Sequence, residues 1–246
     1  MQDPPASAPG PRTDLASVAG RRPEVDTDWL VVSRGFFEAF PPAVDEAAVR
    51  RALVALGYPQ LREVAPRLGP FLEGLLALGS PEGPAISAAC PPANDWLRGE
   101  APALASLLAA LPSPAEVALE AAAGEARAEA AARGLRIRLL FVSPCGPKAA
   151  AMRRFAAELA CRPAFALLAF EVLDLGPLRA RVLAALGRDP GEEPGPEAPP
   201  RLPPGVLFVE GRSGLETFAS APRAAGVRAV LPFWCEGGCN GAALGN

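Results

Sequence analysis

Apolar residues recur along this chain with two alternating periods. Short β-leaning runs cover residues 29–33, 86–90, 139–145, 165–173, 206–210 and 227–231, and the last of these continues through Trp234 to Cys235. Between them, apolar positions fall at helical spacing. Val49, Leu53 and Leu56 predict a helix over 45–58, and Leu61, Val64, Leu68, Leu72 and Leu75 predict another over 60–78, kinked or split by Pro66 and Pro70. A further helix is expected from the Cys90 run to about Leu111. The next begins at Ser113-Pro114-Ala115-Glu116, which offers an N-cap, a proline at the first helical position and a glutamate at the third. Its Ala/Glu/Arg continuation to Arg133 reads as a solvated face. Helices near Lys148, over 177–186 and over 215–225 complete the pattern. Strands alternating with helices specify an α/β protein with mainly parallel sheets and helices on both faces.

Two stretches lack periodicity. Residues 1–27, rich in Pro, Ala, Arg and Asp, are expected to be disordered, and residues 189–204 read as a Pro-rich exposed loop inside a domain spanning 28–246. At 246 residues, half of them hydrophobic, the chain has ample material for a core, as one large or two small domains. The net charge of −3, with no basic tract and one tyrosine, gives no argument for nucleic-acid binding. No apolar run matches a signal peptide or a membrane span, so the expectation is a cytoplasmic protein without membrane or nucleic-acid partners.

Chemistry concentrates in the cysteines. There are five, Cys90, Cys145, Cys161, Cys235 and Cys239, and the chain has no histidine, so soft-metal binding would fall to thiolates. Cys90, Cys145 and Cys235 each close an apolar, strand-like run beside proline or glycine. In open α/β sheets ligands bind outside the carboxyl ends of strands, where residues distant in sequence converge. Cys235-Glu236-Gly237-Gly238-Cys239 adds a fourth thiol on a turn whose glycines let backbone amides approach a cluster. These four are the candidate ligands of one cluster. Cys161, following Met152, Phe155 and Leu159 on a predicted helix, reads as a buried structural thiol. Lys148 also stands out: it is the only lysine among 24 basic residues, three positions after Cys145, where a compact ammonium donor differs most from a guanidinium fork.

Taken in order, Cys90-Pro91, Pro144-Cys145-Gly146-Pro147-Lys148 and Cys235-Glu236-Gly237-Gly238-Cys239 resemble the three cysteine motifs of the catalytic domain of iron-only (FeFe) hydrogenases. Ser113-Pro114, Pro102 and the stretch from Ala52 to Tyr58 extend the likeness, which covers roughly residues 28–246. The resemblance implies two α/β lobes around a metal centre. It implies a 4Fe-4S cubane on Cys90, Cys145, Cys235 and Cys239, with Cys239 bridging to a two-iron subsite. It places Lys148 as a catalytic-site donor to a cyanide of that subsite, and it implies a ferredoxin-like or other redox protein as electron partner, since residues 1–89 hold no cysteine.

This chain also departs from the family pattern. Ala89 stands where catalytic members carry a proton-donating cysteine. Ser143 and Ala151 replace the Met and Glu that flank the second motif, and Leu231 and Phe233 replace the Glu and Met of the third. Heterolytic hydrogen chemistry needs a positioned base and a relay to solvent, and alanine, leucine and phenylalanine carry no proton to relay. The other carboxylates, Glu38, Glu46 and Glu236, read as solvated surface groups. The resemblance therefore implies an iron-sulfur redox, hydrogen-sensing or accessory protein with impaired turnover. The alternatives are a working hydrogenase subunit, an iron-sulfur assembly factor and a structural four-cysteine zinc protein.

Overall fold

The computed structural model describes residues 25–33, 35–64, 68–80, 83–193, 202–221 and 226–235. Its elements run β1 (Thr27–Ser33), α1 (Gly35–Glu38), α2 (Glu46–Ala55), β2 (Gln60–Val64), α3 (Leu68–Leu78), β3 (Ala85–Ile86), α4 (Pro91–Glu100), α5 (Pro102–Ala105), α6 (Pro114–Arg133), β4 (Ile137–Ser143), α7 (Gly146–Ala160), β5 (Leu168–Asp174), α8 (Leu175–Ala185), β6 (Val206–Glu210), α9 (Gly211–Ser220) and β7 (Ala229–Phe233). The strands form two sheets, a four-stranded one in the order β2-β1-β4-β5 and a three-stranded one in the order β3-β7-β6. Every pairing between these strands is parallel. The α/β class, the parallel pairing and the covering of the first sheet on both faces are as the periodicity predicts.

Strand alternation builds the core of the first lobe. Trp29, Val31, Ile137, Leu139 and Phe141 face α6 and α7, where Ala122, Ala126, Ala149 and Met152 meet them. Leu30, Val32, Leu140 and Val142 face the other side, against Phe36 of α1, Leu53 of α2 and Leu178 and Val182 of α8. Small residues on α6 let that helix lie close to the sheet, and its ends are sharply defined. Ser113 and Glu116 form a reciprocal capping box at the N-terminus, and Gly134 closes the other end in the left-handed conformation at φ 65°. Across β1 and β4, Asp28 and Arg138 are register partners joined by two side-chain hydrogen bonds of 2.8 and 2.6 Å.

The second lobe packs α3, α4 and α9 on β3-β7-β6 around Leu75, Ile86, Leu97, Leu215, Val230 and Leu231. Pro232 sits in β7, the central strand of this sheet, without breaking it. Val230 O accepts from Ser87 N at 2.8 Å, so Pro232, two residues on, turns its donorless nitrogen to the same side, beyond the end of the two-residue β3.

Several expectations are corrected. Residues 60–64 are a strand rather than the start of a helix: Gln60–Val64 pairs with β1, and Leu61 and Val64, three apart, pack on opposite faces of the sheet, Leu61 against the Leu30 side and Val64 against the Trp29 side. Pro70 does not kink α3 but occupies its third position, where the amide it lacks has no intrahelical partner in any case. The helix expected to reach Leu111 stops at Glu100; α5 follows, and the chain then bridges β3 through Leu108. Strands β5 and β7 begin three and two residues later than expected, at Leu168 and Ala229, while α9 begins earlier, at Gly211. Strand β1 starts at Thr27, the last residue of the segment expected to be disordered. Residues 1–24, and 194–201 of the Pro-rich loop, lie outside the described residues.

Candidate metal centre

Three of the four candidate ligands fall at the carboxyl ends of strands, and they come from both sheets. Cys90 lies beyond β3 as the N-cap of α4, with Pro91 opening the helix. Cys145 lies beyond β4 as the N-cap of α7, followed by Gly146 and Pro147. Both are extended, and neither side chain caps its helix, so each sulfur stands at the electropositive end of a helix without being consumed by the cap. Cys235 follows β7 by two residues. Its thiol is held above the ordinary cysteine range, first by partial desolvation and then by the charges of Cys145 and Cys90. Cys235 therefore lies within electrostatic reach of both Cys145 and Cys90, although the three belong to different strands, two different sheets and positions 145 residues apart at the extremes. Cys90 is buried, Cys145 half-buried and Cys235 exposed, so the group opens from the interior toward solvent.

Cys239 lies outside the described residues. Among the described residues, no group of three or more His, Cys, Asp and Glu side chains is arranged to hold a single metal ion. In its chemistry the donor set fits an iron-sulfur cluster, since Cys235 lies within electrostatic reach of two further soft thiols, Cys90 and Cys145, and the whole chain has no histidine to compete with them.

Cys161 is outside this group. It forms the C-cap of α7, sixteen residues from Cys145, which is roughly 24 Å along the helix axis. It is exposed, which corrects the expectation of a buried thiol: at the end of the helix the apolar stripe of Met152 and Leu159 has already turned away into the core.

Lys148 is buried. It occupies the first turn of α7, and its Nζ donates to Ala89 O at 2.8 Å and to Ser113 Oγ at 3.0 Å. The ammonium thus spans from the helix that follows Cys145 to the residue before Cys90 and to the cap of α6. Both partners are protein groups, an aspect that sequence reading alone did not reveal.

Asn94 was also missed. It is 6% exposed, its Nδ2 donates to Ala88 O at 2.8 Å, and its Oδ1 is buried with no partner among the described residues. The one signal for it was an asparagine on the face of α4 that also carries Leu97. Ser143 is fully buried at the end of β4, and its hydroxyl reaches Cys145 O at 3.4 Å. Leu231 and Phe233 are buried in the core of the second lobe, so the side chains at these positions are spent on packing. Glu46 pairs with Arg50 on the surface, as expected; Glu38 is instead half-buried, with one carboxylate oxygen covered, and Glu236 is outside the described residues. Among the described residues, no helix is long and apolar enough to cross a membrane.

No protein-family model and no curated protein matches the chain. Solved structures do. An FeFe-hydrogenase from Chlamydomonas reinhardtii superposes with a TM-score of 0.57 at 14% identity, covering 90% of this chain and 80% of that one. A structure described as revealing stepwise assembly of the FeFe-hydrogenase H-cluster gives 0.56 at 14% identity, covering 88% and 79%. A third, described by oxygen inactivation through modification and degradation of the 2Fe subcluster of the H-cluster, gives 0.53 at 13% identity, covering 90% and 80%. The chain has the fold of an FeFe-hydrogenase catalytic domain.

Proposed function

We propose that this protein binds one iron-sulfur cluster, of the 4Fe-4S type, through Cys90, Cys145, Cys235 and Cys239, and serves as a redox, hydrogen-sensing or accessory protein rather than as a fast hydrogenase. The observation that carries this reading is the placement of three cysteines beyond the carboxyl ends of strands from two separate sheets, with Cys235 within electrostatic reach of the other two. Packing alone offers no reason for cysteines at all three positions. The similarity in fold to hydrogenases described by their H-cluster supports iron and sulfide over other soft metals. Such a cluster supplies one-electron redox chemistry, and a ferredoxin-like or other redox protein in the cytoplasm would exchange those electrons.

The residues around the thiols argue against rapid proton traffic. Ala89, Leu231 and Phe233 carry no ionisable group, and the last two are buried in the core. Losing one positioned acid or base typically costs about 100-fold to 10,000-fold in rate.

Anaerobic reconstitution with iron and sulfide tests the reading. About four irons and four sulfides per chain are expected, the number of a 4Fe-4S cluster. Replacing any one of Cys90, Cys145, Cys235 or Cys239 by Ser should sharply lower both, whereas Cys161→Ser should not. Full iron retention in Cys90→Ser would refute the ligand set, and stoichiometric zinc uptake in place of iron would establish a structural zinc site. Infrared bands of metal-bound carbonyl and cyanide after maturation, together with fast hydrogen evolution, would assign a working hydrogenase instead.

A further inference from the structure

The turn formed by residues 87–90 connects all three described cysteine segments. Ser87 N donates to Val230 O of β7, the strand that leads to Cys235. Ala89 N donates to Ser87 Oγ at 3.1 Å, which closes the turn on itself. Ala88 O accepts from Asn94 of α4, Ala89 O accepts from Lys148 of α7, and Cys90 O accepts from Asn94 N at 3.0 Å. Two consecutive carbonyls are therefore held by buried side chains from two different helices, one of which begins directly after Cys145.

From this arrangement we infer that Asn94 and Lys148 are positioning residues, which hold the turn so that Cys90 faces Cys145 and Cys235 before any metal is bound. The inference rests on the cluster reading for its purpose but not for its geometry. Asn94 supports it strongly. An asparagine that leaves a buried Oδ1 without a partner is a poor choice for packing, because an apolar residue of similar size would avoid that cost. The donor end accounts for its presence. Nδ2 must face Ala88 O, since the flipped amide would set two carbonyl oxygens against each other. Lys148 accounts for the second carbonyl. Its ammonium meets Ala89 O and Ser113 Oγ from a single nitrogen, and the Ser113 contact locks it to the rigid capping box of α6. Asn94 thus sets the turn against its own helix, and Lys148 sets it against the first lobe.

The test uses the full chain, free of cluster, and measures alkylation of individual cysteines by iodoacetamide with mass spectrometry. In the unaltered protein Cys90 should react slowly, being buried, and exposed Cys161 should react rapidly, serving as an internal reference. Asn94→Asp, which keeps the shape and removes the donor, and Lys148→Met should each raise the Cys90 rate about 10- to 100-fold, the factor expected from losing a hydrogen bond to a buried group through local opening. Hydrogen exchange in α6 and β4 should not change, which separates displacement of the turn from general unfolding. Iron uptake of both variants should fall with the Cys90 acceleration. A Cys90 rate equal to the unaltered protein's in both variants would overturn the inference. So would acceleration matched by equally faster exchange throughout the first lobe. If the unaltered chain takes up no iron while the variants still expose Cys90, the cluster reading fails and the positioning pair stands.

Discussion

Replacing Gly79 with alanine is a sensitive test of how the second lobe holds together. Gly79 follows α3 and lies against the backbone just before β7; a Cβ built on it would stand 1.9 Å from Arg228 O. That oxygen is not free to move. It accepts from Ala85 N at 2.9 Å, the hydrogen bond that opens the β3–β7 ladder, while the Arg228 side chain donates to Leu76 O at 2.9 Å and fastens the end of α3. The methyl must therefore push α3 away from β7 or break the ladder at its first rung. Overpacking costs about 1–3 kcal/mol, and the lost hydrogen bond about 0.5–1.5 kcal/mol more. Against these, alanine lowers the entropy of the unfolded chain by about 0.4–1 kcal/mol. The net destabilisation centres on about 2 kcal/mol, which for a chain of this size lowers Tm by about 4–8 °C. Urea unfolding of Gly79→Ala beside the unaltered protein measures it. A midpoint equal to or above that of the unaltered chain would show that α3 and β7 do not meet in this register.

Two further outcomes are expected. Asp28→Asn leaves the largely covered Arg138 with Glu171, at 3.6 Å, as its remaining ion partner, and should cost about 1–3 kcal/mol in urea unfolding, with much of the loss recovered when Arg138→Met removes the under-compensated cation as well. Cluster-free protein should lose stability as pH rises above the ordinary thiol value of about 8.5. The folded state holds the Cys235 proton more tightly than the unfolded chain does, so the stability present below that pH disappears as the thiol ionises, and Cys235→Ser should flatten the decline in Tm above it.

Local signals in the sequence carried over well where the determinant was local. Strand β6 matches its predicted limits, and the capping box at Ser113 and Glu116 forms as its spacing requires, because both depend on a few adjacent residues. Residues 60–64 were read as helix because Leu61 and Val64 fall at helical spacing; in the strand they serve the two opposite faces of a sheet covered on both sides, and pairing with β1, a nonlocal partner, decides for the strand. The helix expected over 215–225 begins earlier because Gly211 at φ 68° turns the chain directly from β6 into α9, and glycines at 211 and 214 give no helical signal of their own. The cysteines were legible as strand-end residues, but periodicity could not assign them to sheets. That Cys145 belongs to one sheet while Cys90 and Cys235 belong to the other depends on which strands pair, and nothing in the apolar pattern distinguishes β4 from β7.

The lone lysine shows how composition and tertiary structure combine. In a chain whose 24 basic residues are otherwise all arginine, the sequence indicated that position 148 needs an ammonium, but not what the ammonium meets. Two acceptors from different segments, Ala89 O and Ser113 Oγ, converge on one buried nitrogen. A guanidinium spreads its donors over a planar fork and brings a bulkier head group into the same buried space, so it could not satisfy both acceptors without moving the turn or the α6 cap. The same geometry explains why asparagine rather than a second cation serves Ala88 O. A neutral amide on the adjacent helix supplies the remaining donor without placing a second positive charge beside Lys148, where two buried like charges would repel. One charged and one neutral donor, on two helices, hold the residues leading into Cys90 between the two lobes.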